Sequence, residues 1–242
     1  MGGGGAVVFA DISRNLLDHS RNLAKEMGML ERCRFVEAPA NDLPAFKDES
    51  VDAVTTRSVL IYVKEKRRAF QKFHRVLKPG GRLSIFEPIN NFRDSLDPDR
   101  FLGYNTNMVA DLASKLTALY RRIQPPKTDP MLDFDERDLF EYAERAGFNE
   151  VRLTFEANIE TGTSLGEPPR WEQLVKRSGN PNIPTLEEAM PEALTPDERE
   201  RFAAHLKPLV EANRARRAEA GAYLRAVKDG GNTRDEPLGN IE

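Results

Sequence analysis

Asp11 closes a short apolar run, Val7-Val8-Phe9-Ala10, that follows four consecutive glycines. A carboxylate at the end of a strand has two oxygens with spare lone pairs. It can therefore accept from both hydroxyls of a ribose, the device of nucleotide-binding sheets. Asp is equally common as a turn former after a strand, and at this point both roles stand open. Ile12, next in line, can lie against a flat ring or enter the core. Ala40 and Asn41, Arg57 and Ser58, and Glu87 also follow β-prone runs. Glu87 can serve as a general base or hold a neighbouring loop. His19, His74 and His205 all fall in segments with helical spacing. Structural or solvated roles are expected for them.

The elements that must position these residues follow from periodicity. Residues 6–10 predict a buried strand. Ser13 is placed to cap a helix whose Leu16, Leu17, Leu23, Ala24 and Met27 share one face, with Gly28 at its stop. "CRFVEA" predicts a second strand, "PANDLPAFKDES" a loop, and "VDAVTTRSVL" the start of a third strand. "KEKRRAFQKFHRVLK" predicts an amphipathic helix with Ala69, Phe70, Phe73, Val76 and Leu77 inward. "PGG" ends it and "RLSIFEP" is a fourth strand. Strands separated by helical crossovers imply a parallel sheet, whose ligands sit at the carboxyl ends of the strands. Further on, Met108, Val109, Leu112, Leu116 and Leu119 share a helical face, and "DERDLFEYAERAG" is a helix opened by Asp135 and closed by Gly147. "FNEVRLTFEANIE" alternates as a strand, and residues 162–194 hold one short helix around Trp171. A long helix opens with the capping box Thr195/Glu198 and is expected to kink at Pro208; "GAYLRAVK" is the last strand.

Composition narrows the function classes. The chain has 242 residues, 39% hydrophobic and 31% charged, with a net charge of −3. That balance argues against nucleic acid as the main partner, because neutralising phosphates needs a basic surface. One cysteine, Cys33, excludes an internal disulfide and a cysteine-built metal site. No apolar run approaches the roughly 20 residues of a membrane span. We expect a cytoplasmic protein with no membrane partner.

Taken in order, "VVFADIS…LL", "FVEAPANDLP", "ESVDAVTTRSVLIYV" and "AFQKFHRVLKPGGRLSIFEP" resemble the class I S-adenosylmethionine-dependent methyltransferases of the type 11 kind. "RVLKPGG" before a strand is the most specific piece. The resemblance is close over residues 6–90 and looser over "ERDLFEYAERAGFNEVRL" and "GAYLRAVK". It implies a Rossmann-like α/β fold: a mostly parallel sheet, helices on both faces, and an antiparallel last strand inserted beside the sixth. It implies S-adenosyl-L-methionine as cofactor and a small organic molecule as methyl acceptor. Carried over residue by residue, Asp11 matches the ribose acid and Ile12 the adenine-packing position. Ala40 matches a backbone donor to the ring. Pro39 stands where the family often has Asp, so Asn41 or Asp42 takes over as acceptor. Arg57 and Ser58 match the methionine end.

One departure is large. The family's glycine-rich loop precedes the ribose acid by a strand, a helix and a loop, roughly 20 residues or more on dinucleotide-fold spacing. Here ten residues precede Asp11. The glycine run is therefore expected to be the turn into the second family strand, with the first strand and its loop missing. That organisation is a core over 1–160, a helical insertion or lid over 161–220, a final core strand over 221–228 and a disordered tail over 229–242. The aromatic residues Phe92, Phe101, Tyr104, Tyr120 and Trp171 either wall an acceptor pocket or form the core of the variable regions. Two other readings stay open. One is a non-catalytic binding protein that forms a homo-oligomer through an exposed sheet edge. The other is a nicotinamide-dependent oxidoreductase, which shares the Asp11 argument.

Overall fold

A computed structural model describes residues 4–92, 99–162, 170–180 and 182–230. Two compact units are present. The first comprises the chain through Glu87, Arg137–Thr154 and the chain from Tyr223; the second comprises Pro88–Glu136 and Phe155–Ala222. Residues 88–136 thus lie with the second unit, where the sequence pattern grouped them with the core.

The first unit opens with β1 (Val7–Asp11), α1 (Arg14–Glu26) and β2 (Cys33–Glu37). β1 and β2 pair in parallel, Val7 with Cys33 through Asp11 with Glu37. The Ser13 hydroxyl caps α1 by accepting from Leu16 N–H. The helix stops as the sequence predicts: Gly28 takes φ +67°, its N–H donates to Lys25 O, and Met29 N–H donates to Ala24 O. Its apolar face is only half used. Leu17 and Ala24 are buried, but Leu16, Leu23 and Met27 are exposed, because no described element covers that side of α1.

β3 (Val51–Arg57), α2 (Lys66–Val76) and β4 (Leu77–Pro88) follow. β3 and β4 pair in parallel, with Thr55 opposite Ser84 and Arg57 opposite Phe86. β4 begins at Leu77, so "KPGG" belongs to the strand segment and not to a separate stop. Gly81 is needed there: a Cβ would lie 2.7 Å from Lys78 O. α4 (Glu136–Arg145) follows later in the chain, and β7 (Phe148–Thr161) and β8 (Arg216–Lys228) join the same sheet. Its order is β3-β4-β8-β7, so the last strand of the chain lies between β4 and β7. Inward positions alternate cleanly: Leu83 and Ile85 on β4 and Leu224 and Ala226 on β8 are buried with Phe70, Phe73, Leu139 and Ala143. The intervening positions Thr55, Arg57, Arg82, Ser84 and Arg225 are exposed.

The parallel strands therefore form two sheets and not one. β1 pairs only with β2, and β3 only with β4. Each leaves one edge without a ladder partner among the described residues.

In the second unit, β5 (Arg100–Phe101) and β6 (Tyr104–Asn105) form a small hairpin ahead of α3 (Ala110–Ile123). α5 (Trp171–Val175), α6 (Leu186–Ala193) and α7 (Pro196–Glu211) complete it. Phe101, Tyr104, Leu112, Leu116, Leu186, Phe202 and Leu206 make its core, with Tyr120 and Trp171 packed against it. Met108, expected on the buried face, is exposed, because it lies in a 3₁₀ turn before the α-helix starts. Pro208 sits inside α7 without splitting it. The helix ends soon after at Glu211, and Asn213 just beyond it, with φ 52°, lets Arg214 N–H reach Leu209 O. β8 consequently starts at Arg216, five residues before the expected Gly221. α6 was not expected; its signal was the capping box Thr185/Glu188, masked by Pro191. Of the tail expected to be disordered, 229–242, residues 231–242 lie outside the described residues.

Phe70 is fully buried and packs its ring 5.9 Å from Tyr142 on α4. Phe70→Ala should destabilise the protein by about 3–5 kcal/mol, read from urea unfolding, whereas Leu16→Ser on the bare face of α1 should stay within about 0.5 kcal/mol.

Candidate functional site

The carboxyl ends of β1, β2, β3 and β4 carry the candidate residues. Asp11 Oδ1 accepts from Ser13 N–H at 2.8 Å, so one oxygen makes the turn into α1. Oδ2 has no such bond among the described residues. The turn role is thus real, and a second acceptor remains beside it. Ile12 is 70% exposed, which excludes the core alternative and leaves an apolar side chain bare next to the acid.

Ala38 N–H donates to Asp11 O at 3.0 Å, extending the β1–β2 ladder by one step. This sets the loop that holds Ala40 and Asn41 directly alongside Asp11. Ala40 is half-buried. Asn41 Nδ2 donates to Glu65 Oε2 at 2.9 Å, which leaves its carbonyl oxygen as the acceptor. Asp42 is committed elsewhere: it faces Arg68 at 3.7 Å and Lys72 at 3.5 Å on α2. Of the two acceptors proposed to replace the one lost at Pro39, Asn41 is the open one. Arg75 reinforces this loop by donating to Leu43 O and Phe46 O. The Asn41–Glu65 bond also links the β2 loop to the turn that follows β3.

On that turn, Arg57 stacks over the Phe86 ring, 4.4 Å from guanidinium to centroid, and Phe86 in turn meets Tyr223 at 4.8 Å. Arg57 is held by this cation–π contact. Ser58 has φ 53°, the left-handed region that side chains other than glycine rarely adopt. Its N–H donates to Phe86 O at 2.9 Å and extends the β3–β4 ladder. The structure thus brings Asp11, Ile12, Ala40 and Asn41 together at one pair of strand ends and Arg57 and Ser58 at the other.

Glu87 is fully buried at the end of β4. Oε1 accepts from Val59 N–H and Leu60 N–H, each at 3.0 Å, and Oε2 accepts from Ile61 N–H at 3.2 Å. Both oxygens are occupied and no water reaches them, so the general-base role does not hold. The loop it holds is the one after β3 and not its own "PIN". Burial pushes the Glu87 carboxyl up from its ordinary value, against the three amides and the charge of Lys66, which pull it down. Lys66 was missed in the sequence because nothing distinguishes it from Lys64 in the same charged run. It is 3% exposed and its Nζ donates to Val63 O at 3.1 Å. No histidine stands at these strand ends. His19 is exposed on α1, His74 meets Phe148 edge-on at 5.0 Å, and His205 Nε2 lies 2.9 Å from Asn105 O. Among the described residues no cluster could hold a metal ion, and no helix is long and apolar enough to cross a membrane.

A mostly parallel α/β arrangement with helical crossovers defines a Rossmann-like fold. Two solved structures agree on the fold: a candidate methyltransferase from Bacillus halodurans and the YcgJ protein of Bacillus subtilis. Each has a TM-score of 0.52 and covers 93% of this chain and 83% of its own, at 17% and 14% identity respectively. Residues 2–85 match the family described as Methyltransferase domain. The ubiquinone/menaquinone biosynthesis C-methyltransferase UbiE of Pectobacterium atrosepticum is 38% identical over 87 residues, 36% of this chain and 34% of that protein. UbiE of Escherichia fergusonii is 40% identical over 83 residues, 34% of this chain and 33% of that protein. The chain is similar to this family over residues 2–85, about a third of its length. The matched segment spans about a third of the length of these curated relatives.

Because the folded pKa of Glu87 is raised, the folded state holds that proton more tightly than the unfolded state. Its contribution is most favourable below the ordinary value of 4.5 and is lost as pH rises through the folded value. Glu87→Gln should flatten the acid limb of the stability–pH curve in that window, measured by urea unfolding at a series of pH values.

Proposed function

We propose that the protein is a cytoplasmic enzyme that transfers a methyl group from S-adenosyl-L-methionine to a small organic acceptor. The observation that carries this is the family match over residues 2–85, set on strands whose carboxyl ends hold the candidate cofactor residues. When bound, the cofactor supplies an activated methyl group on sulfur. The chain's part is to bind and align. Asp11 accepts from the ribose hydroxyls through Oδ2 and the spare capacity of Oδ1. Ile12 lies against the adenine, Ala40 donates its N–H to the ring, and Asn41 Oδ1 accepts from the amino group. Arg57 and Ser58 line the methionine end. The names of the relatives make a carbon atom the acceptor to try first. Isothermal titration with S-adenosylmethionine and S-adenosylhomocysteine tests the reading. Micromolar binding is expected, and Asp11→Ala should weaken it at least about tenfold, the scale of one charge-assisted hydrogen bond. Absence of any heat of binding would reject it.

A second reading is favoured by the open edges of β1 and β3. An unpaired strand edge invites pairing with another chain, and Val8 and Phe9 on β1 are each 36% exposed. In this reading the protein forms a homo-oligomer through β1, with or without catalysis. Light scattering should then give twice the 27.3 kDa chain mass, returning to one chain mass in Val8→Lys. A monomer at all concentrations would remove it.

A further inference from the structure

We propose that Glu87 is a positioning residue of the cofactor site, acting through the loop Ser58–Ile61 and never touching the reactants. The inference rests on the cofactor reading above. The left-handed Ser58 followed by right-handed Val59 turns three successive N–H groups, those of Val59, Leu60 and Ile61, toward one carboxylate. Such a concave run of amides is an anion seat, and here a side chain from the neighbouring strand fills it. Leu60 and Ile61 are 0% and 4% exposed, so their amides have no water to fall back on. Lys66 holds the far end of the same loop by donating to Val63 O. A buried carboxylate and a buried ammonium therefore bracket five residues, Val59 to Val63.

A charged pair is an expensive way to stabilise a core, since apolar side chains of similar volume serve as well or better. What the charges provide is a fixed path for the backbone. Ser58 and Arg57, at the mouth of the loop, hold their places only while the amides behind them are seated. Glutamine cannot substitute. It offers one carbonyl oxygen for three donors and sets an N–H₂ group against the third.

The test uses the full chain, unmutated and as Glu87→Gln, with S-adenosylhomocysteine as probe. Amide resonances of the unmutated protein should shift at Ser58–Ile61 on addition of the probe. In Glu87→Gln at least one of the three loop amides should exchange markedly faster and the urea midpoint should fall; affinity, measured where the variant is fully folded, should fall about tenfold. If the unmutated protein binds and a folded Glu87→Gln binds equally well, the positioning role is overturned and the cofactor reading survives. If the variant does not fold, the unmutated protein decides: binding without shifts at Ser58–Ile61 overturns the role. If the unmutated protein does not bind, the cofactor reading fails and the positioning role falls with it.

Discussion

The parallel register between β3 and β4 is the constraint on which the first unit depends. Thr55 opposite Ser84 and Arg57 opposite Phe86 put the ends of the two strands level. From that alignment the ladder continues through Ser58 N–H to Phe86 O, and one residue later Glu87 meets the amides of Val59–Ile61. A slip of one residue would turn Glu87 outward and leave three buried N–H groups unpaired. The same register buries Leu83 and Ile85 under α2 and sets Arg57 over Phe86. Packing, loop path and site geometry thus share one cause.

The second organising fact is where parallel pairing stops. Parallel sheets normally have both faces covered and only their outermost strands exposed along an edge. Here β1 and β3 each end a sheet among the described residues, and on β1 and the turn into α1 the apolar side chains of Val8, Phe9, Ile12 and Leu16 are exposed. The break separates the two pairs of strand ends, yet they stay linked. Asn41 reaches Glu65, and Asp42 faces Arg68 and Lys72. These contacts are partly exposed and individually weak. Arg75, bonded to two carbonyls of the β2 loop, is the firmer tie.

Local signals were read from sequence where a short stretch settles its own geometry. The caps at Ser13, Gly28 and Thr195, and the inward face of Ala69, Phe70, Phe73 and Val76, stand as expected. Misreadings arose where burial depends on a distant neighbour. Leu16, Leu23 and Met27 have the spacing of a buried face, yet no described residue covers that side of α1. Met108 fits the helical period but precedes the helix. α6 was hidden because Pro191 outweighed a good capping box, although a proline can be accommodated where surrounding helices pack.

The sequence by itself determined the order of strands and helices over the first 90 residues, the helix stops there, and the residue types available at each strand end. It also carries the match of residues 2–85 to the methyltransferase-domain family, because "RVLKPGG" and the strand endings are local patterns. The tertiary structure alone decided what those residue types do. Asp11 keeps one oxygen open because only one is needed for its turn. Asp42 is withdrawn by α2, and Asn41 is left as the acceptor. Glu87, eligible from sequence as a base, is sealed under a loop some 26–28 residues earlier in the chain. The reason is physical: hydrogen-bonding capacity is a property of the residue, but whether it is spent is settled by partners that only folding brings within 3 Å.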